Sequence, residues 1–170
     1  MKAKRLTVFA LSVTLFMGMA FAAVDNKENN APQSVATEID RTEWEVSASN
    51  SANNQGPDRA VDEDIDSRWT LGKSQEPGDW FLVDMQTSQK FDIIELQQGK
   101  SANDFPRSYE IYISKDNKEW GEPIVKGKGM RGDATIIALP TTAEARFVKI
   151  VQTGNISTWW SIHELIIKKK

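Results

Sequence analysis

The segment Ser108-Tyr109-Glu110-Ile111-Tyr112-Ile113-Ser114 says most about the fold, because every second residue has the same character. Tyr109, Ile111 and Ile113 alternate with more polar neighbours. Successive side chains of a β-strand point to opposite faces, so this alternation predicts a strand with one face against an apolar core. The pattern favours a half-buried strand over a helix.

Further segments of this kind occur along the chain, each rich in β-branched and aromatic residues and bounded by polar, Gly or Pro residues. With the first they are Trp44 to Ser49, Trp80 to Met85, Phe91 to Gln97, Ser108 to Ser114, Thr135 to Leu139, Arg146 to Val151 and Trp160 to Ile167. In the sixth segment, Val148 and Ile150 are predicted to face the core beside an exposed Lys149. No segment shows a long apolar stripe with a period of 3.6 residues. The spacing therefore predicts an all-β, antiparallel sandwich or barrel.

The composition limits the kinds of protein that this chain can be. Its 170 residues are 39% hydrophobic and 26% charged, with a formal net charge of -3 at pH 7, which is typical of a globular chain of about one domain. There is no cysteine, which excludes disulfides, cysteine-ligated metals and thiol nucleophiles. The single histidine excludes a multi-histidine metal or catalytic site. Mild acidity without a basic block argues against nucleic acid as a partner.

Residues 1–22 have the pattern of a signal peptide. Lys2, Lys4 and Arg5 precede an apolar run from Leu6 to Met19, and Ala20-Phe21-Ala22 matches a leader-peptidase site. An uncleaved membrane helix is the alternative, but the run is shorter than the roughly 20 apolar residues that a bilayer requires. We therefore predict an exported protein that is secreted, periplasmic or on the cell surface.

Residues 23–42 are predicted to form a flexible tether, because they contain almost no large apolar side chains and cannot offset the entropy of ordering. One folded domain is predicted over residues 43–168. All six tryptophans lie in this domain. Indole is rarely covered completely, so we expect most of them in the core or at its edge and one or two to be open to a ligand. A tryptophan on a loop is the better candidate, since binding surfaces lie on loops.

An acidic loop between Arg59 and Trp69 contains four carboxylates within five residues, Asp62 to Asp66. Carboxylates at this density repel one another unless a cation or backbone NH groups neutralise them, and oxygen ligands favour calcium. An EF-hand is excluded because Ser67 stands where the turn needs Gly and Lys73 where a bidentate Glu is required. A calcium site and a solvated acidic turn both remain open at this point.

The order of motifs along the chain resembles the discoidin or coagulation-factor type C family, and most of all its bacterial carbohydrate-binding modules of family 32. The motifs are Trp44 to Ser49, Ala60 to Asp64 with Arg68-Trp69, Asp79 to Asp84, Tyr109 to Ser114 with Trp120, Ala145 to Ile150, and Trp159 to Leu165. The resemblance implies an eight-stranded antiparallel jelly-roll β-sandwich of the galactose-binding-like kind. It also implies a structural calcium ion.

The resemblance carries over a calcium ligand set onto the acidic loop and the last strand. The implied ligands are the carbonyls of Arg59, Asp64 and His163, the side chains of Asp62 and Glu164, and both the carbonyl and hydroxyl of Ser67. The family usually has Gly at the position of Glu63 and Thr at that of Ser67. A Glu at positive φ would cost about 1 kcal/mol, so a rebuilt loop is the alternative.

The resemblance also implies a sugar site in loops at one end of the sandwich. A sugar offers hydroxyl groups to polar side chains and an apolar face to an aromatic ring. Asn103 matches the hydrogen-bonding Asn of the family and Trp159 is the candidate platform, against the alternatives of a turn-forming Asn and a buried Trp. Thr70 stands where galactose binders often have His, and Gln98 near their Arg. Galactose is therefore not assumed, and Lys73 is expected to supply another polar contact.

Catalysis is the first competing function. Asp62, Asp64 and Glu164 are the clustered carboxylates and would be occupied by a metal, while His163 has no evident serine partner. We therefore predict a non-catalytic module that binds a glycan or glycoconjugate, and the sequence leaves open a separate glycan-processing enzyme as a second partner.

A phospholipid- or protein-binding adhesion domain of the discoidin type is the second competing function. Animal members of the family generally have a cysteine pair and hydrophobic loop tips. Here there is no cysteine and the candidate loops are rich in Asn, Ser and Lys, so membrane lipid is the less favoured partner.

Overall fold

The computed structural model describes residues 35–170. The predicted signal peptide over residues 1–22, and residues 23–34 of the predicted tether, lie outside this part. Within residues 35–170 there are nine β-strands, one 3-10 turn and no α-helix. None of the helical structure in this part is long and apolar enough to cross a membrane.

The strands vary widely in length, from two to nineteen residues. In chain order they are β1 (Thr37–Glu38), β2 (Glu45–Ala48), β3 (Trp69–Thr70), β4 (Trp80–Gln97), β5 (Tyr109–Ser114), β6 (Val125–Gly127), β7 (Ala134–Gln152), β8 (Ser161–Ile162) and β9 (Glu164–Lys169), and the 3-10 turn covers Pro57–Ala60.

All strand pairs are antiparallel. The main sheet has the order β1-β9-β4-β7-β5-β6, with β2 also paired to β4, while β3 and β8 form a small second sheet. The first half of β4 pairs with β2 and its second half pairs with β9. Its pairing with β7 shifts register between Asp84 and Gln89 and again between Phe91 and Ile93, and such irregularities bend a strand. β4 and β7 therefore continue from one layer of the jelly-roll sandwich into the other.

The predicted all-β antiparallel sandwich is confirmed, whereas the described residues contain nine strands in place of the eight implied by the resemblance. Two pairs of predicted strands are each joined into one bent strand, β4 and β7. The three strands that alternation did not indicate, β1, β3 and β6, have two or three residues each. A segment this short has no measurable period.

The core is built around Trp69. Its ring packs edge-on against Phe81, with centroids 4.9 Å apart, and against Trp160 at 5.0 Å. Val148 and Ile150 are fully buried, as the alternation predicts. Edge-to-face aromatic pairs add to the stabilisation that burial already supplies, so this cluster fixes the positions of β3 and β8.

The folded part begins before residue 43, in the segment predicted as tether. Thr37 and Glu38 pair with Lys169 and Lys168 of β9, and the Ile39 amide donates to the carbonyl of Ile167 at 2.9 Å. An uncovered edge strand leaves a row of backbone groups unpaired. β1 covers part of that edge, which explains why so polar a segment is ordered.

Four loops meet at one end of the sandwich, which we call the loop end (residues 50–56, 71–79, 98–108 and 153–160). Backbone hydrogen bonds connect these loops to one another and to the adjoining strands β3 and β8: Ala52 N to Thr70 O at 3.0 Å, Gln75 N to Ile156 O at 2.9 Å and Ser161 N to Asp104 O at 2.8 Å. The loop end is therefore a continuous hydrogen-bonded surface, and it contains four of the five residues predicted to bind a sugar, Lys73, Gln98, Asn103 and Trp159, while Thr70 lies next to it in β3.

Candidate functional site

Trp159 is the exposed aromatic residue of the loop end, with 43% of its surface accessible. Its neighbour Trp160 is fully buried in the core, and successive side chains of extended backbone point to opposite sides. The burial of Trp160 therefore turns the ring of Trp159 outwards. This arrangement agrees with the predicted role of Trp159 as a platform.

Asn103 is the second exposed predicted residue of the loop end. It lies in the loop 98–108, where its carbonyl accepts a hydrogen bond of 3.0 Å from Arg107 Nη2. The same Nη2 donates to Thr158 Oγ1 at 2.9 Å, and Thr158 precedes Trp159. The structure thus brings Asn103 and Trp159 to the same surface through a residue that the sequence did not indicate.

Gln75 is a buried amide beneath this surface, with none of its surface accessible. Its Nε2 donates to the carbonyl of Trp159 at 2.8 Å and to that of Phe105 at 3.0 Å. Its Oε1 accepts from the Arg107 amide at 3.1 Å and from Gln152 Nε2 at 2.5 Å. One side chain therefore ties three of the four loops together.

Lys73, also predicted as a ligand contact, is engaged within its own loop. Its Nζ lies 2.9 Å from Glu76 Oε2 and 2.9 Å from Asp79 Oδ1. The hydrogen bonds that Lys73 donates to both carboxylates raise its pKa. A sugar would have to compete with two ion pairs for this ammonium group.

Thr70 and Gln98 are not at the exposed surface, in contrast to the ligand role predicted for them. Thr70 is fully buried, and its hydroxyl accepts from Ser161 Oγ at 2.9 Å. Gln98 is 1% exposed, and its Nε2 donates to Thr135 Oγ1 at 3.0 Å. Gln98 Oε1 is buried without a partner among the described residues. Their positions in the family resemblance suggested the surface, but partners on distant strands hold them inside.

The acidic loop is folded by its own hydrogen bonds. Ser67 Oγ donates to Asp62 Oδ2 at 2.6 Å and lies 3.2 Å from the carbonyl of Arg59. Asp62 Oδ1 accepts from the Asp64 amide at 3.1 Å, and the Asp64 carbonyl accepts from the Ser67 amide at 2.9 Å. Four of the predicted calcium-ligating residues therefore lie in one compact turn.

Glu63 adopts a φ of 64° within this turn. The left-handed conformation that Gly would normally supply is thus kept by Glu, and the alternative of a rebuilt loop is not what the structure shows. An L-residue at this φ costs about 1 kcal/mol.

Glu164, at the start of β9, is only 3% exposed, and neither carboxyl oxygen has a hydrogen-bond donor among the described residues. Arg41 Nη1 lies 3.0 Å from Glu164 Oε2 and donates to the carbonyl of Leu165. Burial raises the pKa of Glu164 to about 7, opposed by Arg41 and increased by Asp62 and Glu63. An ionised carboxylate here is incompletely neutralised by the protein.

These contacts fit a calcium ion bound by oxygen ligands. Within residues 35–170 no three His, Cys, Asp or Glu side chains converge, so the side-chain contribution is limited to Asp62, Glu164 and the Ser67 hydroxyl. The remaining ligands would be the carbonyls of Arg59, Asp64, Ser67 and His163. Calcium accepts carbonyl and carboxylate oxygens together, and the observation that favours a cation is the buried Glu164 carboxylate, which has an ion pair with Arg41 but no hydrogen bond among the described residues.

The only histidine of the chain has a structural position. His163 is 2% exposed, its Nδ1 lies 2.7 Å from the carbonyl of Ile65 and its Nε2 lies 3.0 Å from Ser101 Oγ. Both ring nitrogens are thus engaged. Neither is available to act as a general base on a bound molecule.

A separate cavity of about 500 Å³ lies at the far end of β5 from the loop end. Its lining includes the apolar residues Trp120, Ile113 and Ala145 and the acidic residues Asp116 and Glu119. None of the residues predicted to bind a ligand or metal lines this cavity.

Sequence reasoning missed Arg41, Gln75 and Arg107. Arg41 pairs with Glu164, far along the chain. The side-chain partners of Gln75 and Arg107 lie 30 to 84 positions away in the sequence, with the exception of Asn103, which is close to Arg107. No local pattern reports contacts of this kind.

A jelly-roll β-sandwich with an exposed indole and amide on the loops of one end defines a galactose-binding-like β-sandwich domain. Within this class, the model of the F5/8 type C domain matches residues 45–165, and the chain belongs to that family.

Solved structures of family 32 carbohydrate-binding modules (CBMs) have the same fold. The module of NanJ from Clostridium perfringens, solved with galactose, has a TM-score of 0.69 and 21% identity, covering 79% of this chain and 100% of that one. CBM32-1 and CBM32-2 of ZmpB from C. perfringens, solved with GalNAc, have a TM-score of 0.68 and 18% identity, covering 78% of this chain and 36% of that one. The CBM32 of AlyQ, solved with 4,5-unsaturated mannuronic acid, has a TM-score of 0.61 and 19% identity, covering 77% of this chain and 97% of that one.

The curated relatives include two galactose oxidases of Gibberella zeae. Each is 24% identical over 139 residues, which covers 77% of this chain. The chain spans only about a fifth of the length of these relatives, since the match covers 20% of each. The similarity therefore concerns one portion of those proteins.

Proposed function

We propose that this chain is a non-catalytic carbohydrate-binding module that holds a glycan between the ring of Trp159 and the amide of Asn103. The observation that carries the proposal is the 43% exposure of Trp159 beside a polar loop on a rigid sandwich. An exposed indole can stack on the apolar face of a sugar while an amide bonds its hydroxyl groups.

The solved modules that share the fold support a glycan as the ligand. They were determined with galactose, with GalNAc and with a mannuronic acid. In this chain, Thr70 and Gln98 replace the His and Arg expected of galactose binders, and both are buried. The proposal therefore names a sugar-binding surface and no individual sugar.

We further propose that calcium stabilises the module from the acidic loop. Support comes from Glu164 beside Asp62, because the buried carboxylate of Glu164 has no hydrogen bond among the described residues and only one ion pair, to Arg41. The ion would neutralise both carboxylates and tie the acidic loop to β9. No step of sugar binding is assigned to it.

The proposal also includes export and a role outside the cytoplasm, supported by the sequence of residues 1–22. In such a place the module would capture glycans at a surface or hold them for a separate glycan-processing enzyme. Open sites of this kind have dissociation constants of about 1 μM to 1 mM, or roughly 4 to 8 kcal/mol.

A glycan array probed in calcium and again in EDTA tests the function. We expect wild-type protein to bind at least one glycan class, and Trp159→Ala and Asn103→Ala to lose binding with little change in melting temperature. Trp120→Ala, at the opposite end, is the matched control and should retain binding. Binding to phosphatidylserine liposomes without binding to any glycan would replace this proposal by the lipid-binding alternative.

A further inference from the structure

Arg107 occupies a position that joins the two loops of the proposed sugar site. Its Nη2 donates to the Asn103 carbonyl at 3.0 Å and to Thr158 Oγ1 at 2.9 Å. The first bond fixes the backbone of the residue with the candidate amide. The second fixes the residue just before the candidate platform, Trp159.

The buried side chain of Gln75 also fixes the backbone of Arg107. The Arg107 amide donates to Gln75 Oε1 at 3.1 Å, and Gln75 Nε2 donates to the Trp159 carbonyl at 2.8 Å. The guanidinium carbon of Arg107 lies 3.7 Å from the centroid of the Phe105 ring. The planar head of Arg107 is therefore fixed by stacking and by directed hydrogen bonds.

Part of the Arg107 guanidinium is buried at a cost to the stability of the fold, so a purely stabilising role does not explain this residue. Nη1 of Arg107 is buried without a partner among the described residues, and an unsatisfied buried donor carries a desolvation penalty. Burial also lowers the pKa of Arg107. Unsatisfied polar groups in folded proteins require an explanation, and strained or costly positions concentrate at functional sites.

We propose that Arg107 is the positioning residue that sets the distance between Asn103 and Trp159, acting through its hydrogen bonds and without contacting the sugar. This inference rests on the proposed function of the loop end. The planar guanidinium is what the position requires, because its plane stacks on Phe105 and so aims Nη2 at both the Asn103 carbonyl and Thr158 Oγ1. A lysine has one compact ammonium group and no plane to stack.

The experiment compares Arg107→Lys with Arg146→Lys. Arg146 is the matched control, since its Nε and Nη2 each lie 2.7 Å from Asp84 in a bidentate pair on β4 and β7. Two quantities are measured for each variant. The first is backbone hydrogen exchange in residues 98–108 and 153–160, and the second is affinity for galactose, GalNAc and glucuronate by calorimetry.

For Arg107→Lys we expect faster exchange in both loops together and about tenfold weaker binding of whichever sugar the wild type binds, the loss expected for a hydrogen bond from a charged donor. For Arg146→Lys we expect lower thermal stability with affinity unchanged within about twofold.

Unchanged exchange in Arg107→Lys would overturn the positioning role, as would looser loops with unchanged affinity. Full retention of glucuronate binding with loss of galactose binding would also overturn it, because the positive charge of the side chain, and not the planar guanidinium, would then determine binding. If the wild type binds none of the three sugars and no glycan of the array, glycan binding at this site fails as a function, while the exchange measurement still decides whether Arg107 joins the loops.

Discussion

The Nδ1 atom of His163 lies 2.7 Å from the carbonyl oxygen of Ile65, so a buried ring on the segment before β9 holds the acidic loop in place. Its Nε2 lies 3.0 Å from Ser101 Oγ, in the loop that also carries Asn103. Through this one imidazole, the proposed calcium loop and the proposed sugar loop share a support.

Gly99 is expected to be intolerant of a side chain because it packs on this imidazole. A Cβ at Gly99 would lie 2.5 Å from His163 Nδ1, and Gly99 has a φ of 47°. Gly121 has a similar φ of 61° with no atom within 4 Å of a Cβ. Gly99→Ala should therefore lower the free energy of unfolding by about 1–3 kcal/mol more than Gly121→Ala. Equal losses in urea unfolding would mean that the ring moves aside at no cost.

The thermal stability of the wild type should rise with calcium and that of Glu164→Gln should not. At a calcium concentration 1,000 times the dissociation constant, binding to the native state alone adds about 4 kcal/mol. The amide of Gln retains the size of Glu but removes the charge. Asp116→Asn, which changes a carboxylate at the far end of β5, is the control and should respond as the wild type does. A calcium response in Glu164→Gln equal to that of the wild type would remove Glu164 from the ligand set.

In EDTA, stability should fall as pH rises from about 4.5 to about 7. Glu164 has an ordinary pKa of 4.5 that burial raises to about 7 in the folded protein. In this range the folded state binds more protons than the unfolded state, so raising the pH favours unfolding. The carboxylate of Asp84 has a lowered pKa, chiefly because Arg146 donates hydrogen bonds to it, and so titrates below this range. Chemical denaturation across the range should show the fall in the wild type and its loss in Glu164→Gln; the same fall in both proteins would assign it to another group.

Relief of backbone strain at Glu63 should stabilise the acidic loop. Glu63 has a φ of 64°, a conformation that favours Gly, so Glu63→Gly should gain up to about 0.5 kcal/mol after the entropy cost of Gly, about 0.5–1 kcal/mol, is subtracted from the strain of about 1 kcal/mol. Glu63→Ala removes the same charge and keeps the strain. A gain in Glu63→Ala as large as in Glu63→Gly would show that charge repulsion, and not φ, is the cost at this position.

Sequence periodicity predicted the long strands well but did not indicate the short strands β1, β3 and β6. Alternation placed Val148 and Ile150 in the core, where both are fully buried. The two residues of β1 carry no such pattern, and they are ordered because they pair with β9 at the edge of the sheet. Pairing of this kind depends on a partner 130 residues away, which no local reading of the chain contains.

The candidate site was predictable in outline only. The resemblance pointed to Asn103 and Trp159, and both are exposed. Sequence alone does not decide which of two adjacent tryptophans is buried, because the packing of Trp160 against Trp69 decides it. Thr70 was predicted as a ligand residue because it stands where galactose binders often have His, yet it is fully buried and its hydroxyl accepts a hydrogen bond from Ser161.

The most direct measurement is a ¹H–¹⁵N titration of the six indole NH signals with galactose, GalNAc and glucuronate. Each signal is assigned by single Trp→Phe variants. We expect one of these sugars to shift the Trp159 signal and an Asn103 side-chain amide signal along one saturating curve, with the Trp120 signal unchanged. Saturating shifts confined to Trp120, or no shift at Trp159 with any glycan bound by the protein, would contradict a sugar site at the loop end.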